Sequence, residues 1–145
     1  MDIHTLDGLT RVLQASISPV ALISGVGLLI LSLTNRFSRV ADRLRELIRS
    51  RRNGAANSRV AAEIGIFLLR ARLLRLSIGA AVASVLLASV LVLFLFGMAV
   101  LGLQIAGLGL LLFGISLFSL IASLVLFLVD MRLSLKALEE ELKAE

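Results

Sequence analysis

The sequence predicts an all-α integral membrane protein with three transmembrane helices, a cytoplasmic helical hairpin and a C-terminal helix, which together form a helical bundle. Of the 145 residues, 59% are hydrophobic and 17% are charged, whereas soluble domains have about 45–50% apolar and about 25% charged residues. The mean hydropathy is +1.02. The segments 17–33, 76–100 and 105–129 contain no ionisable side chain and are near the length of roughly 20 residues that crosses a bilayer. The chain length allows one membrane domain, 1–145.

The segment 1–16 is predicted to be a short amphipathic helix in the outer membrane interface. Its large apolar residues recur near one helical face, as in helices that lie on a membrane. These residues are Ile3, Leu6, Leu9 and Leu13. Pro19 favours a helix break before the first span, 17–33, because proline fits a first helical turn that Ser18 can cap. A start at Pro19 leaves only 15 residues up to Leu33, or about 22 Å, so the alternative is a helix that begins earlier and kinks at Pro19.

The segment 35–75 is predicted to be a cytoplasmic hairpin of two amphipathic helices around the turn signal Asn53-Gly54. Each half has an apolar stripe at helical spacing. The stripes consist of Phe37, Val40, Leu44, Leu47 and Ile48, and of Val60, Ile64, Phe67, Leu68 and Ala71. Neither half contains proline, so each helix can continue into the neighbouring span.

The second and third spans, 76–100 and 105–129, are predicted to form an antiparallel hairpin because a short uncharged turn with Gly102 and Gln104 joins them. The tail, 130–145, continues the third span with apolar residues at heptad spacing. We call this row the leucine seam, and it consists of Leu124, Leu128, Met131, Leu135, Leu138 and Leu142. Packing within one chain or between copies would bury it.

The distribution of Lys and Arg predicts the orientation of the chain. Residues 1–16 contain one basic residue and the turn between the last two spans contains none, whereas 35–75 contain eleven Arg and the tail contains three basic residues. The N-terminus is therefore expected outside and the C-terminus in the cytoplasm. A cleaved signal peptide is not expected, because the N-terminal flank is acidic and no A-x-A site follows the first span.

The basic residues of 35–75 are all Arg, whose planar guanidinium suits carboxylate and phosphate groups. Those beside the spans are expected to anchor at anionic headgroups; they are Arg36, Arg39, Arg70, Arg72 and Arg75. Those further out are Arg43, Arg45, Arg49, Arg51, Arg52 and Arg59. The favoured interpretation is that this outer set forms ion pairs with Asp42, Glu46, Glu63 and the glutamates of the tail. The candidates for binding anionic lipid or a partner are Arg49, Arg51, Arg52, Arg59, Arg70, Arg72 and Arg75.

Several classes of function are disfavoured. Proton-coupled transport needs an ionisable group inside a span, and the spans contain none. No nucleophile and base pair is recognisable, so we expect no enzyme. The chain has no Cys and one His, so no cofactor or metal site is expected. Nucleic acid is not an expected partner, because no aromatic residues interleave the arginines.

Small residues recur at helical spacing in each span, where they allow close helix packing or could line an aqueous axis in a ring of copies. They include Ser18, Gly25 and Ser32 in the first span, Ser77 and Ser84 in the second, and Ser116, Ser119 and Ser123 in the third.

The run PVALISGVGLLILSLTNRFSRVADRLRELIR resembles the signature of a family of small bacterial integral membrane proteins known as a domain of unknown function. The residues that carry the resemblance are Pro19, Asn35, Arg36, Arg39, Asp42, Arg43 and Arg45. The resemblance implies three spans and a location in the bacterial inner membrane, without an established activity. Within this motif, one hypothesis is that Asp42 contacts an arginine of a neighbouring subunit.

Two functional hypotheses follow. The first is a homo-oligomeric pore or channel, indicated by the serines and the leucine seam. The alternative is a membrane scaffold whose arginine-rich bundle binds anionic lipid or an acidic protein partner.

Overall fold

The computed structural model consists of three long helices and describes residues 3–53, 58–101 and 106–142. Side-chain positions are described for residues 8, 10, 11, 13, 14, 16–53, 60–101 and 107–135. The helices are α1 (Ile3–Arg52), α2 (Ser58–Leu101) and α3 (Ala106–Leu142). Each contains a stretch long and apolar enough to cross a membrane, so the predicted all-helical fold with three spans is confirmed. The shortest, α3, has 37 residues and a length of about 55 Å, which exceeds the roughly 30 Å of the hydrocarbon core.

The break predicted at Pro19 is wrong, because α1 continues through this residue. The helix begins earlier, as the alternative held. Proline inside a helix costs about 3 kcal/mol in water. In a bilayer the alternative is worse, since an interrupted helix exposes backbone groups that lipid cannot satisfy. The position of residues 1–16 relative to the membrane stays a prediction.

Some predictions fall outside the described residues. The turns at Gly54 and Gln104 belong to this group, as do the side chains of Arg59 and of all the tail residues after Leu135. The glutamates of the tail are among these residues, so their expected ion pairs with the outer arginines stay a prediction.

The first of two compact units comprises Met1–Ile30 and Ala80–Ile121. Its α2–α3 contact is built from small residues: Ala81, Ser84, Ala88 and Ser116 are buried. The Ser116 hydroxyl donates to the Ser84 carbonyl oxygen at 2.9 Å, and the Ser119 hydroxyl donates to the Ala80 carbonyl oxygen at 2.8 Å. Close approach of this kind is typical of helices that associate in lipid.

The second unit comprises Leu31–Gly79 and Ala122–Glu145. Ser77 and Ser123 are fully buried, and each hydroxyl donates to the other residue's carbonyl oxygen at 2.8 Å. Apolar side chains complete the core of this unit, and they are Leu33, Val40, Leu47, Ile64 and Leu74.

The buried face of α3 repeats every seven residues, but it is not the leucine seam. The inward row consists of Gly109, Ser116, Ser123 and Asp130. The described seam residues Leu124, Leu128, Met131 and Leu135 are 38–60% exposed. The prediction that the leucine seam is buried within one chain is therefore wrong for the described seam residues. For Leu124 and Leu128, which lie inside the predicted third span, the reason is that lipid tails solvate leucine as well as another helix does, whereas small residues gain from close packing.

Candidate functional site

A buried carboxylate lies at the centre of the second unit. Asp130 of α3 has no exposed surface. Arg70 of α2 donates from Nε to its Oδ1 at 3.1 Å, and Nε of Arg36 in α1 lies 3.1 Å from its Oδ2. Arg70 also donates from Nη2 to the hydroxyl of Ser134 at 3.2 Å. The cluster thus ties all three helices together.

The position of each charged group follows from the sequence of its helix. Asp130 comes directly after the uncharged run of the third span and continues the seven-residue inward row. Arg36 follows the first span and Arg70 precedes the second. In a three-span chain, the segment between the first two spans and the tail after the third span lie on the same side of the bilayer. Asp130, Arg36 and Arg70 therefore lie at a similar depth relative to the membrane.

The electrostatics of the cluster favour pairing, because a buried charge is costly unless it is paired. The arginine side chains are only partly exposed, 29% for Arg36 and 11% for Arg70. Each guanidinium also lies over an aromatic ring, with Cζ 5.4 Å from the ring centre of Phe127 for Arg36 and of Phe67 for Arg70. Oδ2 of Asp130 accepts no directed hydrogen bond from the described residues, so Arg36 holds it by charge.

A crevice of about 570 Å³ lies beside this cluster in the second unit. We call it the arginine crevice, and it is lined by Ser32, Asn35, Arg36, Arg39, Val40 and Arg70. Arg39 is exposed, and no carboxylate of the described residues pairs with it. The crevice therefore combines two arginines fixed by Asp130 with one that has no counter-charge among the described residues.

Two of the outer arginines make ion pairs, as the sequence favoured. Arg43 contacts Glu46 of its own helix at 2.9 Å and Glu63 of α2 at 3.5 Å. Arg45 contacts Asp42 at 3.3 Å, three residues away on α1. Asp42 thus has a partner within its own chain, and its contact with another subunit stays a hypothesis.

The other described arginines of 35–75 are exposed and have no carboxylate partner in the described part of the chain. They are Arg39, Arg49, Arg51, Arg52, Arg72 and Arg75. Arg36 and Arg70 differ from the prediction, because they face Asp130 rather than standing free for headgroups.

The remaining predicted residues divide into two groups. The serines of α2 and α3 form the contact between these helices; they are Ser77, Ser84, Ser116, Ser119 and Ser123. On α1, Pro19 is buried, whereas Ser18, Gly25, Ser32 and Asn35 are exposed. The buried serines have the packing role, since a buried hydroxyl that is bonded within the chain leaves no surface for an aqueous axis.

Sequence reasoning missed Asp130 and Ser134. A signal for Asp130 was present: among all acidic residues it lies nearest to a predicted span, directly after position 129. Acidic residues beside an apolar span are expensive unless they are paired, and Arg36 and Arg70 near the other spans were the available partners.

Three apolar helices and a charged cluster near the ends of the predicted spans define the chain as a small three-span integral membrane protein. Residues 16–140 match the family described as Protein of unknown function (DUF2721). The chain belongs to this family, as the resemblance in its first span indicated. No curated protein and no solved structure matches it.

Proposed function

We propose that this protein is a non-catalytic membrane scaffold that binds anionic lipid headgroups through the arginines at the cytoplasmic ends of its spans. The single observation that carries the proposal is the set of exposed arginines without a carboxylate partner in the described part, close to the spans: Arg39, Arg72 and Arg75. The proposal includes a location in the bacterial inner membrane and an orientation with the C-terminus in the cytoplasm.

Distance along the helices decides which arginines can reach headgroups. Arg39, Arg72 and Arg75 lie at most six residues from a predicted span end, or about 9 Å at 1.5 Å per residue. Arg49 lies 16 residues beyond position 33, or about 24 Å, which is about three Debye lengths at physiological salt. The outer arginines are therefore candidates for an acidic protein partner rather than for lipid.

The proposal is tested by replacing Arg72 and Arg75 with Gln. We expect the anionic lipid around the protein to fall towards the bulk ratio, because each basic residue near the surface contributes roughly 1 kcal/mol of attraction. The measurement is the ratio of anionic to zwitterionic lipid in polymer-excised membrane discs, determined by mass spectrometry.

The matched control replaces Arg49 and Arg51 with Gln, which removes the same charge at about 24 Å from the span. This variant is expected to keep the lipid ratio of the unmodified protein. An equal loss of anionic lipid in both variants would contradict the proposal, since net charge alone would then explain it.

A homo-oligomeric pore is the second candidate, and the exposed leucine seam favours it. Leu135 is 60% and Met131 38% exposed, and both lie beyond position 129, the end of the third span predicted from the sequence. Assembly of copies through this seam would bury them. A pore would need a ring, because three helices of one chain cannot enclose an aqueous path.

The oligomer is tested by counting subunits with native mass spectrometry from lipid nanodiscs. A ring of at least four copies is expected for a pore, and the change of Met131 and Leu135 to Glu is expected to dissociate it. Ile66, which is 41% exposed on α2, provides a control as Ile66→Glu. An unmodified protein that is monomeric or dimeric would exclude the pore.

A further inference from the structure

We infer that the arginine crevice binds one phosphate group, supplied by the headgroup of an anionic phospholipid. The inference rests on the proposed function and goes beyond it, because it assigns a stoichiometric site for a single lipid in addition to a general attraction between arginines and the membrane surface.

The hydrogen-bond donors of the crevice are the first argument. A guanidinium has five N–H donors in a fixed plane. Arg70 uses its Nε for Asp130 and one Nη2 hydrogen for Ser134, which leaves three donors. Arg36 faces Asp130 with its Nε, and its four Nη hydrogens meet no acceptor among the described residues. Two guanidinium groups are thus held in place while their terminal nitrogens stay available for the oxygens of a phosphate.

The charge of the crevice is the second argument. Three arginines and the single carboxylate of Asp130 give a net charge of +2. Arg39 is the residue without a counter-charge in the described part. A phosphate monoester carries about −1.5 to −2 at neutral pH and neutralises most of this excess, whereas a phosphodiester carries one negative charge and neutralises half of it. Asp130 acts here as a positioning residue for Arg36 and Arg70.

Depth and volume favour a lipid over a free ion. Ser32 and Asn35 line the crevice within two residues of the predicted span end at 33, or about 3 Å along the helix, which is the level of the headgroups. Leu31, next to Ser32, is 59% exposed and offers apolar surface where an acyl chain would lie. A volume of about 570 Å³ lies in the range of small-molecule sites, about 300–1,000 Å³, and exceeds what a phosphate ion needs.

The test is the change of Arg39 to Gln in protein reconstituted into nanodiscs. The discs consist of phosphatidylcholine with an increasing fraction of phosphatidylglycerol. Native mass spectrometry counts the phosphatidylglycerol molecules that remain on each protein after release from the disc. We expect one retained lipid on the unmodified chain and a Kd raised at least about tenfold by Arg39→Gln, since a charged hydrogen bond is lost. Arg39→Lys is expected to give a smaller loss, because the charge remains without the planar fork.

Two controls separate this inference from the proposed function. Arg49→Gln removes the same charge outside the crevice and is expected to keep the retained lipid. The Arg72/Arg75 variant is expected to lose the general enrichment of anionic lipid and also to keep the retained one. If Arg39→Gln and Arg49→Gln bind phosphatidylglycerol as the unmodified chain does, the site is wrong, whatever the result for Arg72 and Arg75.

The source of the phosphate is decided by a competition arm with inorganic phosphate. Retention of phosphatidylglycerol in the presence of millimolar inorganic phosphate supports the lipid. Displacement of the lipid by inorganic phosphate at these concentrations would overturn the lipid assignment. Because Arg39 is exposed, an unchanged unfolding temperature of Arg39→Gln verifies that the variant is folded.

Discussion

Replacing Asp130 with Asn is expected to lower the free energy of unfolding by about 3 kcal/mol, the low end of the range for breaking a buried ion pair. The change removes the carboxylate that faces both Arg36 and Arg70, whose side chains are 29% and 11% exposed. Two guanidinium groups would then stay partly buried without a counter-charge. The low end applies because the Arg36 side chain is not fully buried. Unfolding in mixed micelles with increasing SDS measures the difference.

The matched control is Asp42→Asn, which also removes one carboxylate from an ion pair with arginine. Asp42 and Arg45 have side chains that are 70% and 80% exposed, and exposed pairs contribute about 0–1 kcal/mol. A small effect is expected there. A double-mutant cycle of Asp130→Asn with Arg70→Gln should show coupling of at least about 0.5 kcal/mol, as for residues in one network. Equal effects at Asp130 and Asp42 would contradict the assignment of Asp130 as the buried centre.

The second large effect is expected at the serine contact of the first unit. Ser84→Leu should destabilise the protein by about 3 kcal/mol, the upper end of the cost of overpacking a close-packed contact. The reason is that Ser84 has no exposed surface and its carbonyl accepts from the Ser116 hydroxyl at 2.9 Å, so the helix backbones are too close for a larger side chain. The same SDS titration reports the change.

A series at this position separates packing from hydrogen bonding. Ser84→Ala keeps the small volume and should cost about 0.6 kcal/mol, the average for a hydrogen bond between membrane helices. Ser89→Leu is the control, because the Ser89 hydroxyl donates to Val85 of its own helix at 2.9 Å and is exposed; it should be close to neutral. If Ser84→Ala costs as much as Ser84→Leu, hydrogen bonding rather than close approach holds the helices together.

The spans could be predicted because the bilayer imposes a length and a composition on each helix independently of its neighbours. The serines of α2 and α3 were recognised for a related reason, since small residues at helical spacing are typical of helix contacts in lipid. The failure at Pro19 shows the limit of local rules: the cost of proline in water does not determine the outcome where backbone groups have no other partner.

The site could be predicted only in part. Arg36, Arg39 and Arg70 were singled out by their position beside the spans. Their roles differ, because Arg36 and Arg70 face Asp130 and Arg39 does not. This difference depends on which face of α3 turns inward. The sequence offered two seven-residue rows on this helix, the leucine seam and the row that contains Asp130. Hydrophobicity favours the first, and only the packing of all three helices shows that the second is buried.

The buried cluster also has a consequence for the order in which the chain is made. Arg36 and Arg70 leave the ribosome before Asp130, so both guanidinium groups remain hydrated at the membrane surface while α1 and α2 insert. In the proposed orientation, they act during that time as positive charges that keep their segment in the cytoplasm. They become partly buried only when the last helix arrives with its carboxylate. If the proposed orientation is correct, the same two residues serve first as a signal for orientation and afterwards as part of the folded core.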